Sequence, residues 1–332
     1  MKAQKSGGSR ITRVVLTLGL ASTLLLGACS AGGGGTPAAS SGGVTTIKVG
    51  VLALAGSSPI YIGNDQGYFA AAGLDVQPEI FANGTAATAA LVSGEIDLAF
   101  SNYYSPIFAN QQGISLKLVA EGEVSRDQQI TVQVLPDSPI KTPADLLGHT
   151  VAVTSLKNNG DIGTTAILDY MGLDASKVTF VEMASGDMGA ALQRGTVDAV
   201  WVTEPTRSAI MATLNTRDVM DNNSPPLDHY PQNGYFGTST WVGNNAKAVA
   251  AFQCGLSKAS AYANADENNV RQVLPEFTKF TPDVIAGLHF NEYATAIDVS
   301  QVQRPADILL QQGLISAPFD ASSMVVATPT SC

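Results

Sequence analysis

Two stretches of this sequence, roughly a hundred residues apart, spell the same unit. Gly94-Glu-Ile-Asp97-Leu-Ala-Phe100 is matched position for position by Gly195-Thr-Val-Asp198-Ala-Val-Trp201, and Gly73-Leu74-Asp75 by Gly172-Leu173-Asp174. Around each pair the pattern alternates between strand and helix. Thr46–Leu54 carries alternating β-branched residues and reads as a strand, Ala55–Pro59 as a turn, and Ile60–Ala72 as a helix stopped by Gly73. Leu74–Ile80 is a second strand, Asn83–Ser93 a small-residue helix, and Ile96–Phe100 a third strand. The order returns with a strand at Thr150–Leu156, a helix at Gly163–Met171, a strand at Val178–Met183 and a helix at Asp187–Arg194. The strand ending at Trp201 completes it. Such β-α-β-α-β order signals a mainly parallel sheet covered by helices. Two copies in register predict two similar α/β lobes.

In open α/β sheets, ligands sit beyond the carboxyl ends of the strands, where helix N-termini present unpaired N–H groups. In the first copy those ends are Ala55–Pro59, Phe81–Thr85 and Ser101–Tyr104. In the second they are Ser155–Thr165, Ala184–Asp187 and Thr203–Arg207. All are rich in Ser, Thr, Asn, Gly and aromatics, so a cleft between the two edges is the expected binding site.

Composition narrows the function. The 332 residues hold 18 Lys+Arg against 28 Asp+Glu, a formal charge of −10, with no basic cluster in the body of the chain. Nucleic acid is a poor partner for such a surface. His149, His229 and His289 stand far apart with no Cys or acidic residue at ligand spacing, so no metal and no cofactor is expected. No Gly-x-Ser-x-Gly elbow, Walker loop or dinucleotide fingerprint stands at a strand-to-helix junction. Gly160-x-x-Gly163-Thr-Thr165 lacks the lysine of a phosphate loop. No catalytic residue is assigned.

The N-terminus reads as a targeting segment. Met1–Arg13 carries four basic residues and no acid, Val14–Leu26 is uncharged and mostly apolar, and Leu26-Gly-Ala-Cys29 follows. The apolar run is shorter than the roughly 20 residues that span a bilayer. Leu-Gly-Ala-Cys resembles the bacterial lipobox, which implies that Cys29 is lipidated, becomes the new N-terminus and anchors the chain to a membrane. Ser30–Gly43 is almost entirely Gly, Ser, Ala, Thr and Pro, a flexible tether. Outside the cytoplasm, Cys254 and Cys332 either pair, pinning the C-terminal tail to a late helix, or remain a buried thiol and a frayed terminus.

Several segments in this order resemble the solute-binding proteins of ABC importers in the nitrate/sulfonate/taurine/bicarbonate family, which includes thiamine-pyrimidine-precursor-binding relatives. They are Pro59-Ile-Tyr61-Ile with Gly67-Tyr-Phe69, Gly73-Leu-Asp-Val76, Leu91–Phe100, Thr142–Val153, Asp187–Leu192, Gly195–Trp201 and Glu204-Pro205. Together they span Thr46 to Leu314. The resemblance implies the two-lobe periplasmic-binding-protein type II fold, with the chain crossing between lobes at Arg126–Thr131 and Asn233–Thr238. The expected divisions are a leader at 1–28, lipidated Cys29 and linker at 29–45, lobe 1 at 46–128 plus 237–332, and lobe 2 at 129–236. The C-terminal helices Ala246–Ala263 and Val299–Gln311 complete lobe 1.

The function so implied is capture of a small-molecule solute by lobe closure and delivery to an ABC permease, whose ATPase is a separate chain. The binding protein is then a monomer, lipid-anchored on the outer face of the cytoplasmic membrane. By the same resemblance, Ser57, Ser58, Gly84, Thr85, Asn102 and Tyr103 face the cleft from lobe 1, and Asn158, Asp161, Asp187 and Glu204 from lobe 2. N-capping is the competing role for Thr85 and Asp161. Tyr61 and Trp201 are aromatic candidates for a flat ring or a cation, with core packing as the alternative. The candidate loops hold three carboxylates and only Lys157 and Arg207 as cations. A sulfonate and a nitrogen heterocycle therefore stay level as ligands. A ligand sensor without transport, and a pyrimidine-synthase-like enzyme on the same fold, are the alternative functions. The synthases use a cysteine-rich motif and a histidine, whereas this chain has no cysteine cluster and His149 opens a strand.

Overall fold

The computed structural model describes residues 44–332. The expected leader, Cys29 and the linker through Gly43 lie outside the described residues. Among those described, no helix is long and apolar enough to cross a membrane.

The chain begins with β1 (Thr45–Leu52), a 3-10 turn at Ala55–Ser57, α1 (Ser58–Asp65), α2 (Tyr68–Ala71), β2 (Leu74–Phe81), α3 (Gly84–Ser93), β3 (Leu98–Asn102), α4 (Tyr104–Gln111) and β4 (Leu116–Val124). It then crosses into β5 (Ile130–Val134), β6 (Thr150–Val153), α5 (Asn159–Tyr170), β7 (Thr179–Glu182), α6 (Ser185–Gln193), β8 (Ala199–Thr203), α7 (Thr206–Leu214) and β9 (Arg217–Asp221). It returns through β10 (Pro231–Thr238), α8 (Ser239–Asn244), α9 (Ala246–Ala265), α10 (Glu267–Phe277), α11 (Pro282–Ala286), β11 (Glu292–Tyr293) and α12 (Val299–Gln311).

Two sheets result. The first has six strands in the order β11-β4-β10-β3-β1-β2, and the second five in the order β7-β6-β8-β5-β9. β1 lies parallel between β2 and β3, and β6 parallel between β7 and β8. Each sheet also takes in a strand of opposite direction next to a crossing. β10 runs antiparallel between β3 and β4, and β5 antiparallel between β8 and β9. The sheets are therefore mixed, with the parallel part built from the repeated unit.

The repeated motif has a mechanical reason. Gly94 adopts φ 80° to end α3, and Gly195 adopts φ 67° to end α6, a left-handed turn that glycine makes without strain. Three residues on, the Asp97 carboxylate accepts the Lys48 N–H at 2.8 Å, while the Asp97 N–H donates to the Lys48 carbonyl at 3.0 Å. Asp198 repeats this against Thr150, at 2.8 and 2.9 Å. In each copy the acid clips the third strand to the first and sets their parallel register.

The second crossing differs from expectation. Asn233–Thr238 is not a linker, and the boundary of lobe 2 does not fall at residue 236. These residues belong to β10, a buried strand inside the first sheet. Its glycines serve close packing: a Cβ on Gly234 would lie 2.7 Å from Leu118 Cδ1. The chain crosses earlier, through the turn-rich residues Asn222 to Tyr230. The first crossing occupies residues 125–129, because β5 already begins at Ile130.

Helices α1, α2, α9 and α10 cover one face of the first sheet, around Phe69, Phe252, Leu256 and Phe277. A second apolar cluster runs without a break from α3, α4 and α12 of lobe 1 through Tyr230 of the second crossing to Ile162, Ile167 and Val151 of lobe 2. Along it the Tyr230 hydroxyl donates to the Tyr104 hydroxyl at 2.8 Å, and Gln312 Nε2 to the Ile162 carbonyl at 2.9 Å. One flank of the cleft is thus shut by packed core. Cys254 on α9 and Cys332 form a disulfide, with Cα atoms 5.3 Å apart.

Candidate functional site

The carboxyl ends of both parallel units face one cavity of about 620 Å³. From lobe 1 it is lined by the ends of β1, β2, β3 and β4 and the start of β10, with Phe81, Asn83, Gly84, Asn102, Glu123 and Asn233. From the first crossing it is lined by Gln129, and from lobe 2 by Thr154, Asn158, Asn159, Glu182 and Trp201 and by the first residues of α6 and α7, Ser185 and Thr206.

Helices α3, α5, α6 and α7 all begin at the cavity, and their starts differ in capping. Asn83 Oδ1 accepts the Ala86 N–H at 2.9 Å, and Asn158 Oδ1 the Asn159 N–H at 2.7 Å. The residues preceding α6 and α7 are Ala184 and Pro205, which provide no side-chain cap. Glu204 accepts the Ser208 N–H of α7 at 3.1 Å, so it is chiefly α6 whose early N–H groups are left for whatever fills the space. The capping asparagines of α3 and α5 also reach across the cleft. Asn158 Nδ2 donates to Thr85 Oγ1 at 3.3 Å, and Asn83 Nδ2 to the Thr154 carbonyl at 3.5 Å. Behind them Asn159 Nδ2 donates to the Gln232 carbonyl at 3.1 Å.

Among the described residues the only ionisable side chains lining the cavity are two carboxylates, Glu123 and Glu182. Glu182 accepts the Leu156 N–H at 3.2 Å. Glu123 is 2% exposed; its oxygens accept from Asn233 Nδ2 at 2.7 Å and Asn291 Nδ2 at 3.0 Å. Burial raises its pKa from the ordinary carboxylate value, and the two amide donors act against that rise.

Residues 55–269 match the NMT1/THI5-like family. The chain belongs to that family. It is 26% identical over 239 residues to a protein of Escherichia coli (strain K12) named for binding aliphatic sulfonates, covering 70% of this chain and 73% of that one. It is 27% identical over 197 residues to the formylaminopyrimidine-binding protein of Halalkalibacterium halodurans, covering 58% of each. Its fold superposes on the periplasmic aliphatic sulphonate binding protein SsuA from Escherichia coli with a TM-score of 0.70 at 21% identity, over 84% of this chain and 97% of that one. The lobes of this NMT1/THI5-like chain thus form the periplasmic-binding-protein fold.

Four of the residues expected in the cleft line the cavity: Gly84, Asn102, Asn158 and Trp201. Thr85 stands beside it, joined to Ser105 at 3.3 Å and to Asn158 of the other lobe. The rest lie elsewhere for physical reasons. Ser57 Oγ accepts the Leu52 N–H at 3.0 Å inside the β1–α1 turn, and Ser58 is buried at the start of α1. Tyr61 stacks on Phe277 with centroids 4.1 Å apart, and burial raises its hydroxyl to about 12. Tyr103 is buried edge-on against Phe236. Asp161 caps α5, accepting the Lys157 and Asn158 N–H groups at 2.7 and 2.8 Å. Asp187 is exposed on the first turn of α6.

Glu204 is fully buried within lobe 2. It accepts from Arg207 at 3.3 Å and from the Ser208 hydroxyl at 2.7 Å, and Arg207 goes on to Thr131 and Asp218. One of the two cations in the candidate loops is therefore spent on the lobe's own structure. Sequence reasoning passed over Asn83, Asn159, Glu123, Gln129, Glu182 and Asn233. The strand-end rule covers Asn83 and Asn159. For Glu123 and Asn233 the only signal was a polar residue next to a crossing, and the second crossing had been set too late.

Proposed function

We propose that this chain is the solute-capturing component of an ABC importer. It holds a small organic solute in the cavity between its lobes and presents the closed form to a membrane permease. The observation that carries this reading is the enclosure of the cavity by two carboxyl-terminal sheet edges whose capping asparagines bond across its mouth. Relatives named for sulfonate and formylaminopyrimidine binding support it. The ligand is bound and released unchanged, the chain acts as a monomer, and Cys29 carries the lipid that holds it at the outer face of the cytoplasmic membrane.

Binding of a solute with lobe closure is measured by calorimetry together with small-angle scattering of the full chain. A ligand that binds in the cavity contracts the particle and is recovered intact by mass spectrometry. A ligand recovered chemically altered refutes the transport reading. Cys29→Ala releases the protein from the membrane fraction; retention in that fraction refutes the anchor.

A further inference from the structure

We infer that the solute carries a protonated nitrogen with N–H donors, and that Glu123 is the residue that selects it. This rests on the solute-capture reading above and goes on to name the chemical class.

Glu123 ends β4 at the cavity, where the chain leaves lobe 1, and is almost wholly removed from solvent. A carboxylate in that position needs compensation, because an uncompensated buried charge is among the most costly features a fold can carry. The groups around it are neutral. Asn233 and Asn291 each give one amide hydrogen bond, leaving further lone pairs free. Arg126, three residues on, is turned outward to Glu292 at 3.0 Å. Among the described residues no Lys, Arg or His lines the cavity. Space for the acid is made by Gly56: a Cβ there would fall 2.5 Å from the carboxyl carbon and from Oε1. By contrast, buried Glu204 in lobe 2 has its arginine. Among the described residues the one buried acid at the cavity has no cation paired with it, and a cationic nitrogen on the solute supplies one.

The opposite wall fits the other end of such a molecule. The uncapped start of α6 offers N–H donors, which suit an anionic or carbonyl group, whereas at α7 the Ser208 N–H is already taken by Glu204 at 3.1 Å. The ligand class is therefore a small zwitterion or polar amine whose nitrogen lies toward lobe 1 and whose acceptor end lies toward lobe 2.

The test uses matched pairs on the full chain purified in detergent: 2-aminoethanesulfonate against ethanesulfonate, 3-aminopropanesulfonate against propanesulfonate, and an aminomethylpyrimidine against its methyl analogue. Calorimetry is expected to show at least one amine binding roughly 30-fold or more tightly than its amine-free partner, the scale of a buried charge pair losing one member. Glu123→Gln is expected to remove that difference by weakening the amine alone. Glu267→Gln, on α10 and paired with Arg271 away from the cavity, is expected to preserve it. The wild-type pair comparison stands even where a variant fails to fold. Equal affinity within every pair that binds overturns the role of Glu123 and leaves the solute-capture reading intact. No binding by any pair overturns the ligand class. Native mass spectrometry of protein from its host then separates the two readings: a bound amine-free molecule refutes only the class, and an empty protein refutes both.

Discussion

Glu121, two residues before the cavity acid on β4, gives a prediction that isolates one buried charge. Its side chain is 3% exposed; Oε2 accepts the Asp298 N–H at 2.9 Å, and Oε1 has no hydrogen-bond partner. Burial, with a smaller push from the Asp298 carboxylate, raises its pKa from 4.5 to about 7. Below about pH 4.5 the group is protonated in both folded and unfolded chains and costs nothing. As pH rises from there to about 7, the unfolded chain ionises while the folded one keeps its proton, so stability falls. Above pH 7 the full cost is present, about 3 kcal/mol at 1.36 kcal/mol per pKa unit.

Glu121→Gln retains an acceptor for the Asp298 N–H and removes the titration. The new amide gains no evident acceptor, which costs about 1 kcal/mol at every pH. The variant is therefore expected to be about 1 kcal/mol less stable than wild type at pH 4.5 and about 2 kcal/mol more stable at pH 8. For a chain of this size that is a melting-point difference changing sign, from roughly 2 °C below wild type to roughly 4 °C above. Differential scanning fluorimetry of both proteins at half-unit pH steps measures it. Every other titrating group is common to the two proteins and cancels in the difference. Curves that stay parallel from pH 4.5 to 8 would refute the argument that Glu121 is ionised and desolvated in the folded state.

Cys254→Ser opens a loop of 78 residues. It is expected to lose about 4 kcal/mol, with the same fall in melting temperature when wild type is treated with reductant. Asp97→Ala and Asp198→Ala, which perform the same clip in the two copies, are each expected to cost roughly 1–3 kcal/mol in urea unfolding. A large loss for one and none for the other would refute their equivalence. Asn83→Ser keeps a good cap for α3 while removing the amide that crosses to Thr154. Its melting temperature is expected to stay within about 1 °C of wild type, the difference between two strong caps being a few tenths of a kcal/mol. Affinity for any captured solute is expected to drop, and an unchanged affinity would rule out a part for the bridge in closure.

What was legible in the sequence was whatever a local rule controls. The glycine turn, the acid three residues later and the continuous apolar runs Leu98–Phe100 and Ala199–Trp201 each act within a few residues. They placed both repeated units and the edge that faces the cavity. The second crossing was not legible, because Asn233-Gly-Tyr-Phe-Gly-Thr238 has the composition of a linker. Only its neighbours explain those glycines: Leu118 and Leu98 crowd the positions where Cβ atoms would stand. Tyr61, Tyr103 and Glu204 were misplaced for a related reason. A polar or aromatic residue near a strand end looks available until Phe277, Phe236 or Arg207, each distant in sequence or hidden by the fold, is seen to occupy it.

Capping and ligand-site geometry, which compete in a reading of the sequence, turn out to be compatible because an amide has two ends. In Asn83 and Asn158 the carbonyl oxygen is held by the helix that each residue starts, so the side chain cannot rotate away. That constraint brings the amide nitrogen to the other lobe in both cases, and in Asn158 the same nitrogen also donates to Ser155 of its own lobe at 2.6 Å. A serine or aspartate would cap as well but would bring no N–H₂ donor to the far side. The two asparagines sit at the openings of α3 and α5, one in each lobe. They hold different places in the repeat, since α3 answers to α6 and α5 to the α1–α2 segment, yet each lobe gives one donor and one acceptor to their meeting. Glu123 and Asn233 lie outside the repeated units, on β4 and β10 beside the crossings. The repeated units build the walls, while the discrimination proposed for Glu123 comes from the strands that join them.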